Sequence, residues 1–415
     1  MTISLQQPLS ASKFSSRSAP ASPPRFDPNS VVWQKISTSA AKLERYILAE
    51  NYRGYDPFDA LLSPLFQLPV LRTNKLARFG AQQVVKRSPV NLRSLLAVPK
   101  GENPVTFGLC LQAFTALQQV FVQKAEHYRM QIAICLEQLE ALQSKGYSGA
   151  CWGYDFDWEA RYAKIPAYTP TVVATGFITN ALFEYYQTTG DQRAFNLCES
   201  ATHFVRNDLH KTRKGEVFCY SYSPLDQQVV FNASMKGARL LMQVYSVTGD
   251  ETLRKEAAAA VAYVMDLQRA DGAWSYAHGD ARTWVDNFHT AYVLDCLDVF
   301  LENSQESAFE VQREKGLDYY LRHFFEADGA PKYYDQSLYP VDATAAAQSI
   351  LTLSRVGELE LATKVALWMS EHMQDASGYF YYQKHRRYMN KISYMRWSNA
   401  WMLAALSALL LRMKK

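Results

Sequence analysis

The chain lacks most of the features that announce a function directly. Its six cysteines, at 110, 135, 151, 198, 219 and 296, show no CxxC spacing. That leaves no readable zinc site or disulfide framework. Most of them sit in apolar helical patterns, where cysteine serves as a small buried hydrophobe. Gly (18) and Pro (16) are modest in number, which excludes a low-complexity chain. The longest apolar run, Ala400 to Leu411, falls short of the about 20 residues that a membrane span needs. There is no phosphate loop, no nucleotide fingerprint, no catalytic-serine motif and no metal-ligand spacing. No cofactor or metal is expected, although a metal assembled across repeats needs no linear motif. A net charge of +4 on 415 residues makes no case for a nucleic-acid partner.

Acidic residues are missing from two stretches. None occurs between Asp59 and Glu102, where Arg72, Lys75, Arg78, Lys86, Arg87, Arg93 and Lys100 do. A second acid-free stretch holds Lys384, His385, Arg386, Arg387, Lys391 and Arg396. Such clusters attract anions or a membrane surface, or are solvated faces. Residues 1–26 contain seven Ser, four Pro, three basic residues and no acid. Without an apolar core this is no secretory signal. It reads as part of a disordered tail over 1–30, with an organelle transit peptide as the alternative. The expected compartment is cytoplasmic.

What the chain does have is a period. An aromatic-rich loop leads to a polar residue that opens a small-residue-rich helix, at Thr171, Asn232, Asp286, Asp342 and Arg396, with intervals of 61, 54, 56 and 54. A period of this size marks an array of supersecondary units. Thr189-Gly190-Asp191, Thr248-Gly249-Asp250 and Val356-Gly357-Glu358 run in phase with it. Each Gly suits the left-handed position past a helix end, and each acid suits the start of the next helix. A repeat is thus a helix, a tight turn, a second helix and a longer loop. The final helix, Trp397 to Leu411, is among the most apolar, so the array has no polar cap and is expected to close on itself. The predicted fold is all-α: a single (α/α)6–7 toroid over 31–415, less regular over 31–100. Counting back from Thr171 places further helices near Thr106 and Asp56. Short extended aromatic pieces, at 218–222, 274–276, 332–334 and 379–382, decorate one mouth.

The stretch Leu267 to Trp274 (LQRADGAW) resembles the Gln/Trp repeat of the squalene-cyclase and prenyltransferase superfamily. Tyr168-Thr169-Pro170 to Phe177, and Asn232 to Leu241, resemble the C-terminal helical domain of D-glucuronyl C5-epimerases. Polysaccharide lyases and unsaturated glucuronyl hydrolases share that layout. Gly54 to Asp59, with Lys86 to Arg93, is similar to an uncharacterised family that accompanies bacterial surface-polysaccharide biosynthesis. These resemblances imply an α/α toroid and carbohydrate chemistry, and fold alone does not fix function.

Chemistry is expected at the mouth where the inner helices begin, because helix N-termini favour anions and the aromatic loops supply stacking faces. Trp152 to Arg161 is the densest candidate, with Trp152, Tyr154, Asp155, Asp157, Glu159 and Arg161. Alternation would put the three acids on one face, where repulsion could raise a pKa and supply a general acid. His289 lies one helical turn from Asp286 and can serve as a base, while Asp286 can also cap its helix. Tyr339 to Ala345 partly resembles the acidic motif of class II terpenoid cyclases, but Ala343 replaces its last acid, so Asp342 reads as a helix cap. Tyr222, Tyr276, Tyr334 and Tyr382 fall at matched positions near Asn232 and Arg396. The expected catalytic residues are Asp155, Asp157, Glu159, His289 and Tyr222. The others are expected to bind substrate, with Arg396 gripping a carboxylate. The reading is a protein of cell-surface polysaccharide metabolism that binds an acidic, uronate-containing glycan. It would abstract the proton next to a carboxylate, as epimerases and lyases do, or cleave a glycosidic bond with carboxylate help. A terpenoid cyclase or prenyltransferase-like enzyme, and a non-catalytic partner in a biosynthetic complex, are the alternatives. The oligomeric state stays open.

Overall fold

The computed structural model describes residues 30–159, 164–304 and 307–414. Residues 1–29 of the expected tail and Arg161 lie outside the described residues, while Ser30 caps the first helix. Among the described residues the helices are α1 (Val31–Ala49), α2 (Pro69–Thr73), α3 (Lys75–Arg87), α4 (Pro104–Val120), α5 (Ala125–Ala141), α6 (Val172–Thr189) and α7 (Gln192–Asn207). There follow α8 (Phe231–Thr248), α9 (Glu251–Met265), α10 (Asn287–Ser304), α11 (Glu310–His323), α12 (Ala343–Val356), α13 (Leu359–His372) and α14 (Trp401–Lys414). The even-numbered helices from α4 to α14 form the inner ring, and α14 packs back on α4 to close it. Helices α5, α7, α9, α11, α13 and α1 form the outer layer. The toroid therefore has six helix pairs, within the expected six or seven. The sixth outer helix is α1, which pairs with α14 across the ends of the chain. Asp56, where a further ring helix was expected, instead lies in a loop before a short 3-10 turn at Asp59–Leu62.

Residue size explains the two layers. Inner helices touch neighbours on every side, so they need small side chains and bury nearly all of their length. In α12, Ala343 and Ala345 to Ala347 are all buried. A side chain on Gly176 of α6 would come within 2.8 Å of the Lys236 Cβ on α8, so these two helices cross closely. Outer helices bury one stripe and keep a polar face. Gly190, Gly249 and Gly357 end α6, α8 and α12 in the left-handed conformation, with φ of 74°, 70° and 87°. Each turn then leads directly into an outer helix.

The Gln/Trp-like stretch braces the outer layer. Gln268 Nε2 donates to the Gly272 and Gln312 carbonyls, and Trp274 Nε1 donates to the Val264 carbonyl. A second copy stands at Gln374 to Phe380, where Gln374 Nε2 donates to the Gly378 and Ser39 carbonyls. The first brace reaches α11; the second reaches α1 and fastens the ring shut.

Short strands tie the mouth together. Trp158–Glu159 (β1) pairs with Lys164–Ile165 (β2), and Lys211–Lys214 (β3) with Val217–Tyr220 (β4). Val229–Val230 (β5) pairs with Ala277–His278 (β6), linking the loops that enter α8 and α10. Val341–Asp342 (β7), Tyr381–Lys384 (β8) and Met389–Ser393 (β9) do the same for α12 and α14. Of the four expected extended pieces, 218–222 and 379–382 overlap strands. Residues 274–276 and 332–334 lie outside the strands: Trp274 is committed to the core, and Tyr334 makes only isolated bridges, one of them to Asp286. All six cysteines are buried and unpaired. No described helix is long and apolar enough to cross a membrane.

Candidate active site

Every inner helix is entered from the same end, because each outer helix carries the chain back. The five marker residues fall at that end. Thr171 Oγ1 caps α6 by accepting from the Ala174 N–H, and Asp342 Oδ1 caps α12 by accepting from Thr344 and Ala345. Asn232 is the second residue of α8, and Asp286 immediately precedes α10. Arg396 lies in a π-helical turn, Met395–Ala400, that leads into α14. Only Asp286 and Arg396 open onto the cavity at this mouth; Thr171, Asn232 and Asp342 are buried behind it.

The cavity holds about 460 Å³ and has aromatic walls. Tyr276 stacks on Trp284 with centroids 5.1 Å apart and planes 14° apart. Trp158 leans on Tyr222 at 5.5 Å, and Phe58 meets Trp397 edge-on at 5.7 Å. Such flat faces offer C–H stacking to a sugar ring.

One titratable pair faces this space. His289 Nδ1 lies 2.7 Å from Asp286 Oδ2, while the His289 backbone N–H donates to Asp286 Oδ1. Trp284 Nε1 donates to Asp286 Oδ2 at 3.1 Å. The carboxylate, almost fully buried, therefore holds the Nδ1–H form of the imidazole. In the neutral ring that leaves Nε2 as the acceptor nitrogen. The ring is held between neighbours: Tyr276 meets it edge-on at 4.5 Å. The next residue after Asp286 anchors the helix start, because Asn287 Nδ2 donates to the Lys332 carbonyl and its Oδ1 accepts from Tyr320 and Ser349.

Four basic side chains line the same cavity, and two of them are already engaged. Arg396 is clamped by Asp56 through bonds of 2.6 and 2.9 Å, and Arg282 by Asp280 through Nε bonds of 2.9 and 3.0 Å. The Arg396 guanidinium lies over the rings of Tyr154 and Trp397. Lys86 and Arg87, from the end of α3, have no carboxylate partner among the described residues. The Lys86 ammonium sits 4.2 Å over Phe58, and burial pushes its pKa down to about 8.

The acidic cluster does not act as one unit. Arg78 of α3 takes Asp157 at 2.7 Å and Glu159 at 3.1 Å, and Glu159 is buried. Asp155 turns elsewhere, accepts from Asn103 Nδ2 at 2.7 Å, and is pushed up to about 6 by burial and by Asp56. None of the three lines the mouth cavity. Trp152 is a core residue whose indole N–H donates to the Leu139 carbonyl. Tyr382 packs edge-on against Tyr394 away from the cavity. Tyr154, Tyr222, Tyr276 and Tyr334 do line it. Burial holds the Tyr222 hydroxyl well above its ordinary pKa. Sequence reasoning had not put Phe58, Lys86, Arg87, Trp284 or Trp397 in the site. Trp284 stands two residues before Asp286 and Trp397 one after Arg396, so proximity to the markers was the available signal.

Fold and site together define a closed (α/α)6 toroid with an aromatic, histidine-bearing mouth. A cellobiose 2-epimerase from Bacillus thermoamylovorans B4167 superposes with a TM-score of 0.59 at 14% identity, covering 76% of this chain and 90% of that one. A glycoside hydrolase family 76 mannosidase from Bacteroides thetaiotaomicron VPI-5482 superposes with a TM-score of 0.56 at 11% identity, covering 93% and 98%. A variant of the protein UGL, described together with dGlcA-Glc-Rha-Glc, gives 0.59 at 14% identity, covering 90% and 96%. At these identities the likeness is one of fold. No protein-family model and no curated protein matches the chain.

Proposed function

We propose that the protein is a carbohydrate-active enzyme that takes an acidic, uronate-containing glycan into the aromatic mouth and abstracts the proton next to its carboxylate. The observation that carries this reading is the Asp286–His289 pair, with Nε2 left as an acceptor among sugar-sized aromatic faces. The similar folds support the carbohydrate class, since their names are those of a sugar epimerase and a mannosidase, and the third is described with an oligosaccharide. Lys86 and Arg87 support the acidic class: a uronate carboxylate set against them loses much of its negative charge, which acidifies the adjacent C–H. The proton passes to His289 Nε2. Return of a proton to the opposite face, from a tyrosine hydroxyl such as Tyr222, inverts the centre. Loss of the neighbouring glycosidic oxygen instead gives elimination.

Carboxylate-assisted glycosidic cleavage fits less well, because it needs two carboxyl groups about 5–9 Å apart across the bond. Among the described residues only Asp286 brings a carboxylate to the cavity wall, and His289 already holds it. Terpenoid cyclisation asks for an apolar cavity, and four basic side chains argue against it. The likeness of Gly54 to Asp59 and Lys86 to Arg93 to a surface-polysaccharide family suggests a bacterial cell-surface glycan and a cytoplasmic step. The test is proton NMR of oligouronides incubated in D2O. Deuterium at C5, or an unsaturated uronide product, that is absent with His289→Ala supports the reading. Unchanged exchange in that variant removes it.

A further inference from the structure

The toroid has a second cavity, of about 360 Å³, at the mouth where the inner helices end. It shares no lining residue with the first. An aromatic plug separates the two. Phe177, Tyr292 and Trp401 pack edge-on or tilted at 4.8–5.8 Å on the far side, and Phe288 and Trp397 close the near side.

Lys236 of α8 points into this second space. Its side chain is almost wholly buried, and its ammonium lies 3.9 Å over Phe177 and 3.8 Å over Tyr292. Among the described residues it has no carboxylate partner and no hydrogen-bond acceptor. Arg239, one helical turn on, is also buried, and its Nη2 donates to the Gly176 carbonyl. Both cations lie in the first half of α8, where the helix dipole does not call for them. Arg355, by contrast, stands in the last turn of α12, where the dipole accounts for it.

The carboxylates that face this cavity are served from within the protein. Glu184 accepts from Gln112 and Asn180, each at 2.9 Å, and Asp295 Oδ2 accepts from Gln348 at 2.7 Å. Asp295 Oδ1 is shut off from the cavity. The cavity thus holds a buried lysine ammonium with no acceptor, lying over two aromatic rings. A buried polar group left unpaired is costly, so it points to something that binds there.

We propose that the far cavity is a second ligand site, independent of the mouth, for a small anion of the sugar-acid or sugar-phosphate kind whose carboxylate or phosphate meets Lys236. Calorimetric titration of the full chain with glucose 6-phosphate, glucuronate and glucose tests it. At least one anion binds in the millimolar range or tighter, and glucose binds more weakly; which anion binds distinguishes phosphate from carboxylate. Lys236→Met weakens that binding about tenfold or more, the scale of one lost charge-assisted hydrogen bond. Any anion held at the first mouth depends on Lys86 instead, so the binding that survives Lys86→Met and is lost with Lys236→Met reports the far cavity, and failure here is separable from failure of the proposed activity. If Lys236→Met does not fold, Lys236→Gln replaces it and is expected to cost a similar factor. Absence of anion binding, or binding that follows Lys86 rather than Lys236, overturns the proposal.

Discussion

Asp286 holds His289 through two contacts at once: the ring Nδ1 at 2.7 Å and the backbone N–H at 3.0 Å. One carboxylate therefore fixes both the place of the imidazole and its tautomer. Asp286→Asn keeps the size and can still cap the helix, but its amide can offer a donor to Nδ1 and so turn the basic nitrogen inward. The expected result is a fall in kcat of order 10²–10⁴, the range of general-base catalysis, with little change in thermal stability. Steady-state kinetics on an oligouronide, beside a melting curve, checks both halves.

Lys86 supplies a pH limit. Burial holds its amine at about 8, below an ordinary lysine, so its charge is lost as pH rises through that value. Above pH 8, KM for an acidic oligosaccharide should climb and kcat should fall, because the carboxylate then loses the charge that both holds it and acidifies its neighbouring C–H. Lys86→Arg keeps the charge and should move the rise to higher pH. A KM profile that is identical in the two proteins would rule out Lys86 as the carboxylate's partner.

Arg78 is a structural cation. It and Glu159 are both almost fully buried, so deleting the arginine leaves a buried, uncompensated carboxylate. Arg78→Ala should cost about 3–5 kcal/mol, and Arg78→Ala with Glu159→Ala should recover part of it. Urea unfolding of the three proteins reads this directly.

Asp155 binds its proton more tightly in the folded chain, at about 6 against an ordinary 3.8. The sign follows from that rise. Its contribution to stability is fully present below about pH 4 and is lost as pH rises through 6. Asp155→Asn removes this dependence, so the variant should gain about 1–3 kcal/mol on the parent between pH 4 and pH 7. Denaturant midpoints at the two pH values check it; a constant difference would contradict it.

The repeat was legible because its markers are local. A polar residue every 54 to 61 positions, in phase with glycine turns, is enough to orient the inner helices. The Asp286–His289 pair was legible for the same reason, since three residues along a helix meet without help from the rest of the fold. What escaped was set by distant partners. Asp155, Asp157 and Glu159 look like one acidic face, yet Asn103 and Arg78 divide them. Arg396 reads as a free clamp, yet Asp56, 340 residues earlier, occupies it. The basic stretch between Asp59 and Glu102 looks like a surface, but Arg78 and Arg93 run inward to carboxylates and only Lys86 and Arg87 reach the mouth. Charge balance across such separations is decided by the closed ring, and no window of sequence contains it.

Because α1 leans on α13 and α14, one of the six pairs is made from helices that lie far apart in sequence, while the other five are made from neighbours. The ring therefore has a single non-local seam. A chain cut at one of the glycine turns and rejoined across that seam would make the seam local and turn one of the other pairs into the distant one.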